Sequence, residues 1–120
     1  DSLVTDSAAA ASAWGCGRRV KNGSINVTPE GRQLLPLLVR AAQAGKATGL
    51  VTTARVTHAT PAGFIANVPS RNMEQAIGEQ ILERRVDVAP GATACEYDRH
   101  LPPSCRFVSC HRESSFCSCA

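Results

Sequence analysis

Segments with helical spacing alternate with short β-branched segments over the first three quarters of the chain, and this alternation constrains the fold more than any other feature. "SAAAASAW", Ser7 to Trp14, is a run of small helix-competent residues. Asp6 and Ser7 both suit its N-cap, and Gly15 and Gly17 are stop signals. Asn22 and Gly23 then mark a turn ahead of a short apolar strand at Ile25 to Val27. Thr28 as cap and Pro29 at the first helical position open a second helical segment, with Leu34, Leu35, Leu38, Ala41 and Ala42 at helical spacing before Gly45 closes it. Pro36 is expected to kink that helix or shift its start. The β-branched run Ala47 to Val56 suits a buried strand. Asn72 to Arg85 suits a helix with Met73, Ala76, Ile77, Gln80 and Ile81 on one face, and "VDVA" after it a further strand. Such alternation predicts the α/β class, with a mostly parallel sheet flanked by helices and ligands bound beyond the carboxyl ends of the strands.

The pattern ends near Pro90. Residues 90–120 show neither helical nor strand periodicity and hold Cys95, Cys105, Cys110, Cys117 and Cys119, whereas only Cys16 precedes them. The expected organisation is therefore a partial α/β domain over 1–89 and an irregular Cys-rich tail over 90–120. The net charge of +3 is carried by dispersed arginines, and aromatics make up 4% of residues. Neither a basic stripe nor a stacking platform results, so no nucleic-acid-binding role is expected. No apolar run approaches the roughly 18 residues of a membrane span and nothing reads as a signal peptide, so no membrane role is expected. The chain begins at Asp1 without methionine, as expected of a fragment or a processed chain.

Four positions have a chemical case. A serine at a strand-to-helix junction faces the positive end of the helix dipole and free backbone N–H groups, which favours an anionic oxygen or a phosphate. Ser7 is thus a candidate nucleophile, although an Asp-Ser pair ahead of alanines is also an ordinary helix cap. No histidine lies within local reach to act as its base, which leaves a metal ion as the other route to an alkoxide. His58 and Thr60 follow the strand ending near Val56 and have ligand types for a cation, beside plainer roles as a loop histidine and a cap before Pro61. Arg71 suits a phosphate clamp, or a solvated arginine at a helix start. In the tail, Cys105, Cys110, His111, Cys117 and Cys119 include zinc-ligand types, but paired C-x2–4-C knuckles are missing.

"VTDSAAAAS", "GLVTTARVTHATPAGFIANVPSR" and "EQILERRVDVA" together resemble the alkaline phosphatase family in order and approximate spacing, from Asp1 to about Ala89. The resemblance implies a metal-dependent phosphomonoesterase working through a phosphoserine intermediate. Ser7 matches the serine that becomes phosphorylated, and Asp6 the aspartate that helps orient the phosphate-binding arginine, which Arg71 matches. Thr60 matches a magnesium ligand, and His58 falls where the family carries aspartate or histidine near that metal. Ser7, Thr60 and His58 are thereby the metal-linked positions, with zinc and magnesium the implied cofactors and phosphate monoesters the implied substrates. Ser12 departs from the threonine usual at its position.

A larger departure is that most of the family's metal ligands come from an upstream aspartate and a long downstream segment absent here. The chain is therefore expected to be an inactive fragment on its own, with a tail of out-of-frame origin. A periplasmic or secreted location and a homodimer of the full-length protein are also implied. A sulfatase would need a C/S-x-P-x-R context, and alanines follow Ser7 instead. The alternative from another class is a small secreted Cys-rich or zinc-binding protein without enzymatic activity.

Overall fold

The structure is a computed structural model of the chain that describes residues 3–84 and 86–87. The tail at 90–120 with its cysteines, and Arg85, Val88 and Ala89, lie outside the described residues. Among the described residues, four helices run in the order α1 (Ser7–Cys16), α2 (Leu37–Gln43), α3 (Ala59–Ala62) and α4 (Glu74–Glu83).

α1 opens where the sequence indicates. Asp6 is extended, at φ −86° and ψ 172°, and its carboxylate accepts from the Ala9 N–H, so the aspartate is the cap and Ser7 the first helical residue. Gly17, at φ 72°, closes the helix by donating its N–H to the Ala13 carbonyl. Gly15 is no stop: it lies inside α1 because α3 passes against it. A Cβ at Gly15 would fall 1.9 Å from the Gly63 carbonyl oxygen, and one at Gly63 would fall 2.5 Å from the Ala11 Cβ. Small residues on both sides let the helices approach this closely, and the alanine run is a packing surface as well as a helix former.

The second helix begins later than Thr28 and Pro29 suggest. Residues 28–32 instead form a turn, with Gly31 at φ 80° donating to the Thr28 carbonyl and Thr28 donating to the Arg32 carbonyl. The helix waits for Pro36, which sits at its N-cap, because a proline inside a helix supplies no N–H and obstructs the preceding turn. Leu34 and Leu35 consequently precede α2. Gly45, at φ 71°, ends it as the sequence indicates.

The expected parallel sheet does not form among the described residues. Ile25 and Val68 exchange two 3.0 Å backbone hydrogen bonds as an isolated antiparallel bridge, and Val27 pairs with Gln33 in another. Beyond a bridge position at Gly49, residues 47–56 form no strand, and Val51 is exposed. Thr48 in this segment is tied instead to Asp87, whose Oδ2 accepts from its N–H at 2.6 Å and its hydroxyl at 3.2 Å. A β-branched segment becomes a strand only beside a partner, and among the described residues no strand lies alongside 47–56. α3 was not legible as a helix: Pro61 falls in its first turn, where a missing N–H costs nothing. α4 buries Ile77, Gly78 and Ile81. Met73 is its exposed cap residue, outside the expected apolar face.

Ala8, Ile25, Ala59, Ala62, Ile65, Ala66, Val68, Ile77 and Ile81 make one core, with Leu38 and Val39 of α2 partly buried against it. Each buried isoleucine contributes about 1.5–3 kcal/mol. A buried polar network crosses this core. Asn26, at φ 51°, donates through Nδ2 to the carbonyls of Gly63 (2.7 Å) and Ala66 (2.8 Å), and its N–H donates to Ser12 Oγ. Asn67 donates through Nδ2 to the carbonyls of Asn26 and Leu34, and its backbone exchanges hydrogen bonds with the Gln80 side chain. These bonds hold the α3–α4 connection, which carries Arg71, against the connection between α1 and α2.

Candidate active site

The N-terminus of α1, the residue capping α3 and the residue preceding α4 meet at one place. Ser7 occupies the first position of α1, His58 the N-cap of α3, and Arg71 the loop leading into α4. Arg71 Nη1 donates to Ser7 Oγ at 2.7 Å and lies 3.3 Å from Asp6 Oδ2. Its Nη2 is 3.4 Å from His58 Nε2. Whether Nε2 accepts from Arg71 in that contact depends on the tautomer of the His58 ring.

Asp6 is the hub. Its Oδ1 accepts from the Ala9 N–H at 2.9 Å, and its Oδ2 accepts from the Gly23 N–H at 3.0 Å as well as from Arg71. Partial burial alone would raise its pKa. The N–H groups of Ala9 and Gly23, and the hydrogen bond and charge of Arg71, outweigh that and hold the carboxyl below its ordinary value. An ionised Asp6 therefore fixes the guanidinium, which presents donors toward Ser7. With the Ala9 N–H taken by the cap and the Ala10 N–H by the Asp6 carbonyl, Ser7 and Ala8 retain N–H groups with no intrahelical acceptor. A guanidinium and two N–H groups around a hydroxyl at the positive end of a helix make a setting for a tetrahedral oxyanion.

Of the residues singled out from the sequence, Asp6, Ser7, His58 and Arg71 are thus brought together. Thr60 is on the exposed surface of α3, and among the described residues its side chain makes no hydrogen bond. As a test of fit to a metal, both Asp6 oxygens are already engaged, and among the described residues no three His, Cys, Asp or Glu side chains gather as a ligand group. Ser7, His58 and Thr60 carry donor types that a cation can take, but Thr60 is not brought to the other two, and among the described residues they do not make up a ligand group.

Sequence reasoning missed two supports. The Asn22-Gly23 turn was visible, but nothing local indicated that its backbone would bind Asp6. Glu74, at the start of α4, accepts from Thr57 Oγ1 at 3.0 Å and pairs with Arg55 at 2.7 Å, which ties the segment leading to His58 to the helix that follows Arg71. An acidic residue in a helix's first turn was the one available signal, and it reads equally as a dipole contact.

Comparison with known proteins finds relatives for most of the chain. The family model described as alkaline phosphatase matches residues 1–90. An alkaline phosphatase from Schizosaccharomyces pombe is 39% identical over 118 residues, covering 94% of this chain and 21% of the relative. That alignment runs past residue 90, where the family match stops. The crystal structure of Thermus thermophilus alkaline phosphatase matches with a TM-score of 0.73 and 47% identity, over 76% of this chain and 19% of that one. A variant of TAB5 alkaline phosphatase with Mg bound in its M3 site matches with a TM-score of 0.71 and 35% identity, over 74% of this chain and 26% of that one. The chain spans about a fifth of the length of the curated relatives it matches.

Proposed function

The chain belongs to the alkaline phosphatase family, and from that premise we propose that it carries the nucleophile half of a phosphomonoesterase site. In this reading Ser7 Oγ attacks the phosphorus of a phosphate monoester. The Oγ–P bond forms as the P–O bond to the leaving alcohol breaks, and water later cleaves the phosphoserine to release inorganic phosphate. The observation that carries the proposal is the 2.7 Å hydrogen bond from Arg71 Nη1 to Ser7 Oγ. A fixed cation at that distance favours the anionic form of the oxygen and leaves the guanidinium beside the position of the transferring phosphoryl group. Asp6 holds the Arg71 guanidinium in place, and the Ser7 and Ala8 N–H groups add donors without reorganisation.

Zinc and magnesium are the cations we assign to the whole protein, where they would lower the pKa of the serine hydroxyl and neutralise phosphoryl charge. Ser7, His58 and Thr60 are this chain's contributors to holding them. Because the chain spans 21% of its fission yeast relative, the remaining donors are assigned to other parts of the whole protein, together with the bulk of the mostly parallel sheet. Magnesium bound in the TAB5 variant supports the metal half of the reading. A homodimer, and a periplasmic or secreted location, belong to the same proposal.

The test uses the 120-residue chain with inorganic phosphate as probe and a chromogenic phosphate monoester as substrate, with zinc and magnesium added. The expected result is phosphate binding that Arg71→Ala weakens by about tenfold or more, through loss of charge-assisted hydrogen bonds, with turnover near zero. Metal content should be the same in both proteins, since a guanidinium cannot ligate a cation. Unchanged phosphate affinity in Arg71→Ala would remove Arg71 from the site. Robust turnover abolished by Ser7→Ala would show that the chain already holds a complete site.

A further inference from the structure

Ser7 and Arg71 are 64 positions apart and meet through flexible side-chain atoms, yet both hang from one small turn. The Ser24 N–H donates to the Lys21 carbonyl at 3.0 Å, which closes a β-turn with Asn22 and Gly23 at its centre. Gly23 has φ 85° while Asn22 keeps a negative φ, the pattern of a type II turn. Through this conformation Gly23 points its two backbone groups at the two halves of the site. Its N–H donates to Asp6 Oδ2 at 3.0 Å, and its carbonyl accepts the Arg71 N–H at 2.7 Å.

Asn22 fastens the same turn to the chain ahead of α1. Its Oδ1 accepts the Asp6 N–H at 3.3 Å and its Nδ2 donates to the Val4 carbonyl at 2.9 Å. Ser24 adds a bond from Oγ to the Pro69 carbonyl at 3.2 Å, next to the segment that bears Arg71. A Cβ placed on Gly23 would meet nothing within 4 Å, so space is not the reason for glycine here; the backbone conformation is.

We propose that the Asn22–Gly23 turn is the positioning element that sets the distance between Ser7 and the Arg71 guanidinium, an inference that rests on reading those two residues as nucleophile and phosphoryl clamp. The turn touches neither substrate nor reacting atoms and acts through Asp6 and the Arg71 backbone. A long arginine side chain samples many rotamers, so a backbone anchor at Arg71 N and a carboxylate stop at Asp6 together select the one that faces Ser7. The handedness of the turn is the critical property. Asn, which tolerates positive φ, should substitute for Gly23, and a β-branched residue should not.

The experiment compares the ¹⁵N-labelled chain with Gly23→Asn, Gly23→Val and Asn22→Ala, reading the Arg71 guanidinium signals and the affinity for inorganic phosphate. Circular dichroism verifies that the helices remain. Gly23→Asn should keep ordered guanidinium signals and wild-type phosphate affinity. Gly23→Val should collapse those signals to the freely rotating position and weaken phosphate binding about tenfold. Asn22→Ala, which removes only exposed side-chain bonds, should weaken it a few-fold. A folded Gly23→Val protein with ordered Arg71 signals and unchanged affinity would overturn the proposal. If Gly23→Val does not fold, Asn22→Ala decides, and unchanged Arg71 signals there overturn it. Arg71 signals that respond to the turn variants in a chain that binds no phosphate would support the positioning role and defeat the nucleophile and clamp reading instead.

Discussion

Replacing Gly15 with alanine sets two well-characterised effects against each other. Gly15 is helical and has no positive φ, so alanine there should stabilise α1 by about 1 kcal/mol through helix propensity. Against this, the new Cβ would stand 1.9 Å from the Gly63 carbonyl oxygen and 2.8 Å from its carbon, where real Cβ atoms keep at least 3.0 Å. The obstructing atoms are backbone, so no rotamer change relieves the contact. α1 and α3 must separate by about 1 Å, loosening Ala8, Ala59 and Ala62, which are fully buried between them. Overpacking of this kind costs about 1–3 kcal/mol, and a backbone obstacle places it at the upper end. The clash therefore wins, with a net loss of about 1–2 kcal/mol and a fall in Tm of roughly 4–16 °C for a domain of this size. Thermal and urea unfolding of Gly15→Ala beside the parent chain measures it. Because Ser7 opens α1 and His58 caps α3, the separation should also weaken phosphate binding. A higher Tm in Gly15→Ala would mean that propensity prevails and that the two helices do not pack at this distance.

Asp6 links stability to pH. Its folded pKa lies below the unfolded value of about 3.9, so its contribution is fully present above the unfolded pKa and is lost as pH falls through the folded one. Asp6→Asn should flatten the acid limb of the stability curve below about pH 4, and an unchanged limb would remove Asp6 as its source. Asn26→Ala should cost about 3 kcal/mol or more, since it leaves the buried Gly63 and Ala66 carbonyls without their donor and places an alanine at φ 51°. Asn26→Gly removes the same donor without the conformational strain and should cost less; equal urea midpoints for the two variants would show that strain contributes nothing.

Local chemistry was legible where one residue and its near neighbours decide the outcome. The α1 start at Asp6 and Ser7, the Gly17 and Gly45 stops and the displacement of α2 by Pro36 each depend on backbone groups within a few residues, so the sequence by itself determined them. The motifs around Ser7, His58 and Arg71 likewise sufficed to identify the family. Residues 47–56 show the limit. Their β-branched composition expresses a preference that only a neighbouring strand can satisfy, and among the described residues Thr48 finds Asp87 instead. Gly15 shows it again, because a helix-breaking residue is kept within α1 for the sake of a carbonyl 48 residues away. The family resemblance implied that Ser7, Asp6 and Arg71 share one site, but the contacts that join them, and the Gly23 backbone that serves both Asp6 and Arg71, lay beyond the sequence. Hydrogen bonds across 17 to 65 positions follow from where the core places α1, α3 and α4, and the tertiary structure alone decided that.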